Sequence, residues 1–138
     1  MADSPDTRWP EGAQRQQIER HLADFASAIP GIRAAVLASV DGFVLAKAGP
    51  GTGGGERLAA MTSSMLGLAG AVTRELTLGD LEVLMLDASD GKVLMLSIPC
   101  PRRPLLMMAA CSQRTVIGNV LWSAKDCGRK ILAELGGR

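Results

Sequence analysis

The chain contains no tyrosine, and its aromatic residues are Phe25, Phe43, Trp9 and Trp122. Binders of single-stranded nucleic acid stack bases on aromatic side chains, so this sparse set argues against that class. A formal net charge of +1 also lacks the basic excess that phosphate binding requires. Three cysteines, Cys100, Cys111 and Cys127, and the single histidine His21 are too few and too scattered for a zinc framework. Their number is odd and no CxxC occurs, so they read as buried, reduced thiols. No apolar run approaches the ~18 residues of a membrane span. The opening residues MADSPDTRWPEGAQ hold no apolar signal segment. Together these absences predict a cytoplasmic protein with no nucleic-acid partner.

What remains is a chain of 138 residues, 47% hydrophobic and 21% charged, which suits one globular domain. With so few aromatics, the core must be built from Leu, Val, Ala, Ile and seven Met. Residues 1–10 read as a flexible tail with two prolines, and residues 11–138 as a single domain. A helix fits roughly Glu11–Ile29, because Ile18, Leu22, Phe25 and Ile29 step by 3 and 4; Pro30-Gly31 stops it. Asp41-Gly42 marks a tight turn inside IRAAVLASVDGFVLA, a hairpin over about 32–46. A second helix fits Glu56–Thr77, followed by strands over 81–87 and 92–98 around the turn Ser89-Asp90-Gly91. The prolines of CPRRP exclude 100–104 from a central strand, and LLMMAACS at 105–112 reads as a fifth strand. A last helix spans about Thr115 to Leu135, with a Ser or Thr cap expected near its start and Gly136-Gly137 after it. Hairpins alternating with helices in the order α-β-β-α-β-β-β-α predict an α+β fold on an antiparallel sheet.

None of the candidate chemical motifs assembles an active site. The loop Gly49-Pro50-Gly51-Thr52-Gly53-Gly54 matches GxGxxG. It follows a hairpin strand rather than a parallel βαβ unit, and Glu56-Arg57 stands where a P-loop needs Lys and Ser or Thr, so it reads as a connector. His21 reads as a partly exposed surface residue. Asp87 and Asp90 flank a turn, where Asp is expected on conformational grounds. Arg102-Arg103 reads as a solvated pair or a guard against aggregation beside apolar strands. No catalytic, cofactor-binding or metal-binding residue is assigned, and the chain is expected not to be an enzyme.

The second helix is the most informative segment. At 100° per residue, Leu58, Met61, Met65, Leu68, Val72 and Leu76 share one face, which is expected to cover the sheet. The other face carries Ala60, Ser63, Ser64, Gly67, Gly70, Ala71 and Arg74. Each interior glycine costs about 1 kcal/mol against Ala. Close approach of another helix, which small residues permit, is the expected compensation. The strand that follows, with Leu81, Val83 and Met85, is expected at a sheet edge, and an apolar, proline-free edge invites pairing with another chain.

FASAIPGIRAAVLASVDGFVLA, LAAMTSSMLGLAGAVTREL, LEVLMLDASDGKVLMLSI and LLMMAACS stand in this order ahead of a closing helix. Over about residues 14–135 the chain resembles the roadblock (dynein light chain) superfamily, especially its bacterial MglB-like branch. The resemblance implies a five-stranded antiparallel sheet, with the second helix on one face and the terminal helices on the other. It implies homodimers joined through third strands and second helices. It also implies a non-enzymatic regulator or adaptor that binds a small Ras-like GTPase, some bacterial members stimulating GTP hydrolysis. It supplies no shared arginine finger, so Arg74 is not given that role. Two alternatives belong to other classes: a small-molecule sensor of profilin-like or PAS-like build, and a purely structural scaffold subunit.

Overall fold

The computed structural model describes residues 10, 12–51, 53–101 and 103–136. The elements are α1 (Gly12–Ala28), β1 (Ile32–Ser39), β2 (Val44–Ala48), α2 (Gly55–Glu75), β3 (Val83–Ala88), β4 (Gly91–Ile98), β5 (Leu105–Ser112) and α3 (Ile117–Glu134). The five strands form one antiparallel sheet in the order β2-β1-β5-β4-β3. The tail expected over 1–10 lies outside the described residues except for Pro10. That residue is buried, and its carbonyl accepts a hydrogen bond from Arg15 Nε at 2.9 Å, so it belongs to the folded domain.

Strand alternation sorts the apolar residues into two cores. Ala35 and Leu37 of β1, Leu94 and Leu96 of β4, and Met107 and Ala109 of β5 meet Ile18, Leu22 and Phe25 of α1 and Val120, Ala124, Cys127 and Ile131 of α3. Ala34, Val36 and Ala38 of β1, Met95, and Leu106 and Met108 of β5 point the other way, to Ala59 and Leu66 of α2. The continuous apolar runs at 34–38 and 105–111 are therefore the strands covered by helices on both faces. Each fully buried Leu or Met contributes roughly 1.5–3 kcal/mol relative to leaving it exposed. The glycine inside α3 has a packing reason: a Cβ on Gly128 would stand 3.2 Å from Ile98 of β4.

The turns follow the predicted residues. Gly42 takes a φ of +91°, and Ser39 N–H donates to Phe43 O at 2.9 Å to close the first hairpin. Ser89 and Asp90 join β3 to β4, with Ala88 opposite Gly91. Two local expectations change. α3 has no side-chain N-cap; Val116 holds that position. Thr115 Oγ1 instead lies 2.9 Å from Ser112 Oγ and 3.4 Å from Pro30 O, tying the start of α3 to the α1–β1 turn. The glycine loop is more than a connector: Gly51 N–H donates to Arg33 O at 2.7 Å. A Cβ on Gly51 would stand 2.9 Å from that oxygen, while Gly53 and Gly54 face open space. Thr52 and Arg102 lie outside the described residues.

Candidate functional site

α2 does not lie on the sheet by the stripe expected from its sequence. The residues it buries are Gly55, Ala59, Thr62, Leu66 and Gly70. On a helical wheel their centre is roughly a third of a turn from the large-residue stripe. Leu58 and Met65 are half-buried and flank the α2 core. Met61, Leu68, Val72 and Leu76 are 48%, 71%, 56% and 61% exposed. The first hairpin approaches the helix closely: a Cβ on Gly42 would stand 3.3 Å from Ala60 Cα. Ser63 Oγ donates to Val40 O on the same side. Thr62, buried among apolar groups, satisfies its hydroxyl within the helix by donating to Leu58 O at 2.8 Å.

The small face predicted for a partner is divided. Ala60, Ser64, Gly67, Ala71 and Arg74 are exposed, Ser63 is half-buried, and Gly70 is buried. A Cβ on Gly67 would meet nothing within 4 Å, and one on Gly70 would meet the Arg74 guanidinium at 3.3 Å. Neither glycine is required by close backbone packing inside the chain. Val40, 49% exposed at the hairpin tip, adjoins this side of the helix. A cleft of about 260 Å³ runs between them, lined by Val40, Ser63, Leu66, Gly67, Gly70, Arg74, Asp80, Leu81, Ser97 and Leu106.

β3 lies at one edge of the sheet, as expected, although it begins at Val83 rather than at residue 81. Leu81 and Val83 are half-buried on opposite sides of the sheet, and Met85 is 46% exposed. Gln113 ties down the hairpin end of the strand. Its Nε2 donates to Asp87 Oδ1 at 3.4 Å and to Ala88 O, and its own carbonyl accepts from Lys92 Nζ at 2.9 Å. Asp87 thus has a partner as well as a turn role.

The other candidates resolve as structural. His21 Nε2 lies 3.2 Å from Glu134 Oε1 and bridges α1 to α3. All three cysteines are free and buried. Burial raises the thiol of Cys111, partly offset by Lys92, and pushes Cys127 up to about 12. These thiols stay protonated in the folded chain. Stability is intact below the ordinary value of 9.0 and is lost progressively as pH rises from there towards about 12. Urea midpoints should therefore fall between pH ~8 and ~10.5, and native Cys127 should resist alkylation at pH ~8. A midpoint that rises over that interval would contradict this assignment. Among the described residues, no group of three or more His, Cys, Asp and Glu side chains is placed to hold a metal ion. No helix among them is long and apolar enough to cross a membrane.

The arrangement is that of a small α+β domain, with one sheet edge open and one helix presenting a large apolar stripe to solvent. The chain belongs to the Roadblock/LC7 domain family, whose profile matches residues 19–98, more than half of its length. Solved structures share the fold. A Roadblock/LC7 domain from Streptomyces avermitilis is 14% identical with a TM-score of 0.77, covering 85% of this chain and 96% of its own. Myxococcus xanthus MglB is 13% identical with a TM-score of 0.79, covering 91% and 92%. The gliding protein MglB of Thermus thermophilus is 15% identical with a TM-score of 0.79, covering 92% and 94%. No curated protein sequence matches the chain. The structures confirm the five-stranded antiparallel roadblock architecture, with α2 on one face and α1 and α3 on the other.

Proposed function

We propose that this chain is a homodimeric, non-enzymatic adaptor that binds a small Ras-like GTPase and regulates it. The observation that carries the reading is the exposed apolar stripe of α2, Met61, Leu68 and Val72, on the same side of the sheet as half-buried Leu84 and Leu86 of edge strand β3. A second copy that pairs along β3 brings two α2 helices together and removes both stripes from water. The outward residues Ala60, Ser64, Gly67 and Ala71 then form a low-charge platform across the two-fold axis, with Arg74 beside it. Short side chains lose little rotamer entropy on binding, which suits an exchangeable regulatory contact. Family membership and the MglB likeness support a regulatory role. A sensor with an enclosed ligand is less favoured, since among the described residues no buried side-chain polar atom lacks a hydrogen-bond partner.

The test is binding of the chain to each GTPase encoded near it, loaded with GDP or a GTP analogue, with phosphate release measured in parallel. One GTPase should bind per two chains, because a platform on the two-fold axis is occluded by its first occupant. Arg74→Glu should weaken binding about tenfold through slower association, with no change in dimerisation. If Arg74→Glu has no effect while a double Arg102→Glu, Arg103→Glu change abolishes binding, the partner surface lies elsewhere.

A further inference from the structure

The two edges of the sheet are built differently. β3 runs in unbroken register with β4 over consecutive pairs from Val83↔Leu96 to Ala88↔Gly91. It contains no proline and no bulge, and none of the helices packs substantially on it. β2 is shorter and irregular. Leu37 pairs with Ala46 but Ala38 pairs with Val44, so Leu45 is an extra residue on the edge strand. Leu45 and Ala46, though consecutive, are both buried in the same core, which is the side-chain signature of a bulge. α1 lies across this strand and sends Arg15 to it. Arg15 Nη1 donates to Leu45 O at 2.6 Å while Nε donates to Pro10 O at 2.9 Å, so one planar guanidinium holds the bulge and the chain entering α1 together. Beyond the strand the loop folds back onto β1, where Gly51 N–H takes the Arg33 carbonyl. Lys47, exposed on the strand, adds a charge. A short strand, a bulge, a covering helix and a lysine are the devices by which sheet edges avoid unwanted pairing.

We propose that Arg15 closes the β2 edge to other strands, so that the sheet grows only along β3 and assembly stops when two copies have paired there. For β3 the occupant, a second copy, rests on the dimer reading given above; the closure of β2 does not. Two open edges on one chain would allow head-to-tail addition without end, whereas one open edge gives a closed two-fold pair. The guanidinium does this by occupying a carbonyl that an incoming strand would need, and by fixing the bulge that breaks the strand's regular ladder.

The experiment compares the full chain with Arg15→Met, which keeps an apolar stem but removes both donors, and with Arg15→Gln. Sedimentation at rising concentration and backbone hydrogen exchange over residues 44–48 are the readouts. Wild type should level off at the dimer. Folded Arg15→Met should exceed it, about doubling the average mass at the highest concentration, with new exchange protection over residues 44–48. Combined with Leu68→Glu on α2, Arg15→Met should still associate, because the new contact uses the other edge. Either variant folded, yet matching wild type in size at every concentration, overturns the proposal. Unfolding of both variants also overturns it, since Arg15 would then hold up the core rather than gate an edge. A monomeric wild type would overturn the dimer reading alone, and association gained by Arg15→Met would still report the opened edge.

Discussion

Leu68→Glu, alone or with Val72→Glu, is expected to turn the dimer into monomers while leaving the fold intact. Both side chains are largely exposed in the single chain, so their replacement changes folding stability by no more than about 0.5 kcal/mol. In a paired arrangement each carboxylate is forced out of water without a partner, a cost on the order of 3–5 kcal/mol. Self-association should weaken by at least about a hundredfold. Sedimentation gives the size and circular dichroism the fold. Gly67→Ala is the matching control. It meets open space, and its helix propensity should make it neutral or stabilising by up to about 1 kcal/mol. Gly70→Glu is a poor probe of the interface, because Gly70 is buried and the new side chain would meet the Arg74 guanidinium first. If the double glutamate variant sediments as the wild type does, the stripe is not what joins the copies.

Gly31→Ala is expected to be among the most damaging single-methyl additions in the chain. Gly31 holds a φ of +100°, and an added Cβ would stand 2.2 Å from Thr115 Oγ1 and 2.8 Å from Ser112 Oγ. Its carbonyl also accepts from Ser112 N–H at 2.9 Å. The α1–β1 turn, the end of β5 and the approach to α3 therefore meet at this one residue. A left-handed backbone costs a non-glycine residue about 1–3 kcal/mol, and overpacking adds about as much. The sum, roughly 2–5 kcal/mol, is a large part of a small domain's stability. Denaturant unfolding measures it. Gly53→Ala, at a position with nothing within 4 Å, should stay close to wild type in the same experiment. Equal stability of the two variants would show that the turn relaxes freely.

The residues that declared their structure in the sequence are those whose physics is local. Pro30-Gly31 ends a helix because proline lacks a donor and glycine reaches positive φ. Asp41-Gly42 turns a hairpin for the same conformational reason. The steps Ile18, Leu22, Phe25 mark the buried stripe of α1, all three lying in the core. The missing cap at α3 was not legible, because Thr115 is diverted to Ser112 and Pro30, residues brought near it only by folding. Neither was the role of Arg15, a mid-helix arginine like any other until α1 lies across β2 and brings it to Leu45 O.

α2 separates most clearly what each level decides. Its sequence determined that it is a helix, that one arc is apolar and large, and that another is small. Periodicity describes arcs on a cylinder and says nothing about which neighbour each arc meets. Hydrophobicity predicted that the large arc would cover the sheet. The tertiary structure set Ala59, Thr62, Leu66 and Gly70 against it instead, leaving Met61, Leu68 and Val72 in water. Strand order likewise follows from pairing between distant segments, which places β5 at the centre of the sheet and leaves β3 at an edge. The fold class and the turns were determined by short-range chemistry along the chain. Which apolar arc stays exposed, and that the β2 edge is covered, were decided only by the packing of helices on the sheet, because burial is a relation between surfaces that no single segment contains.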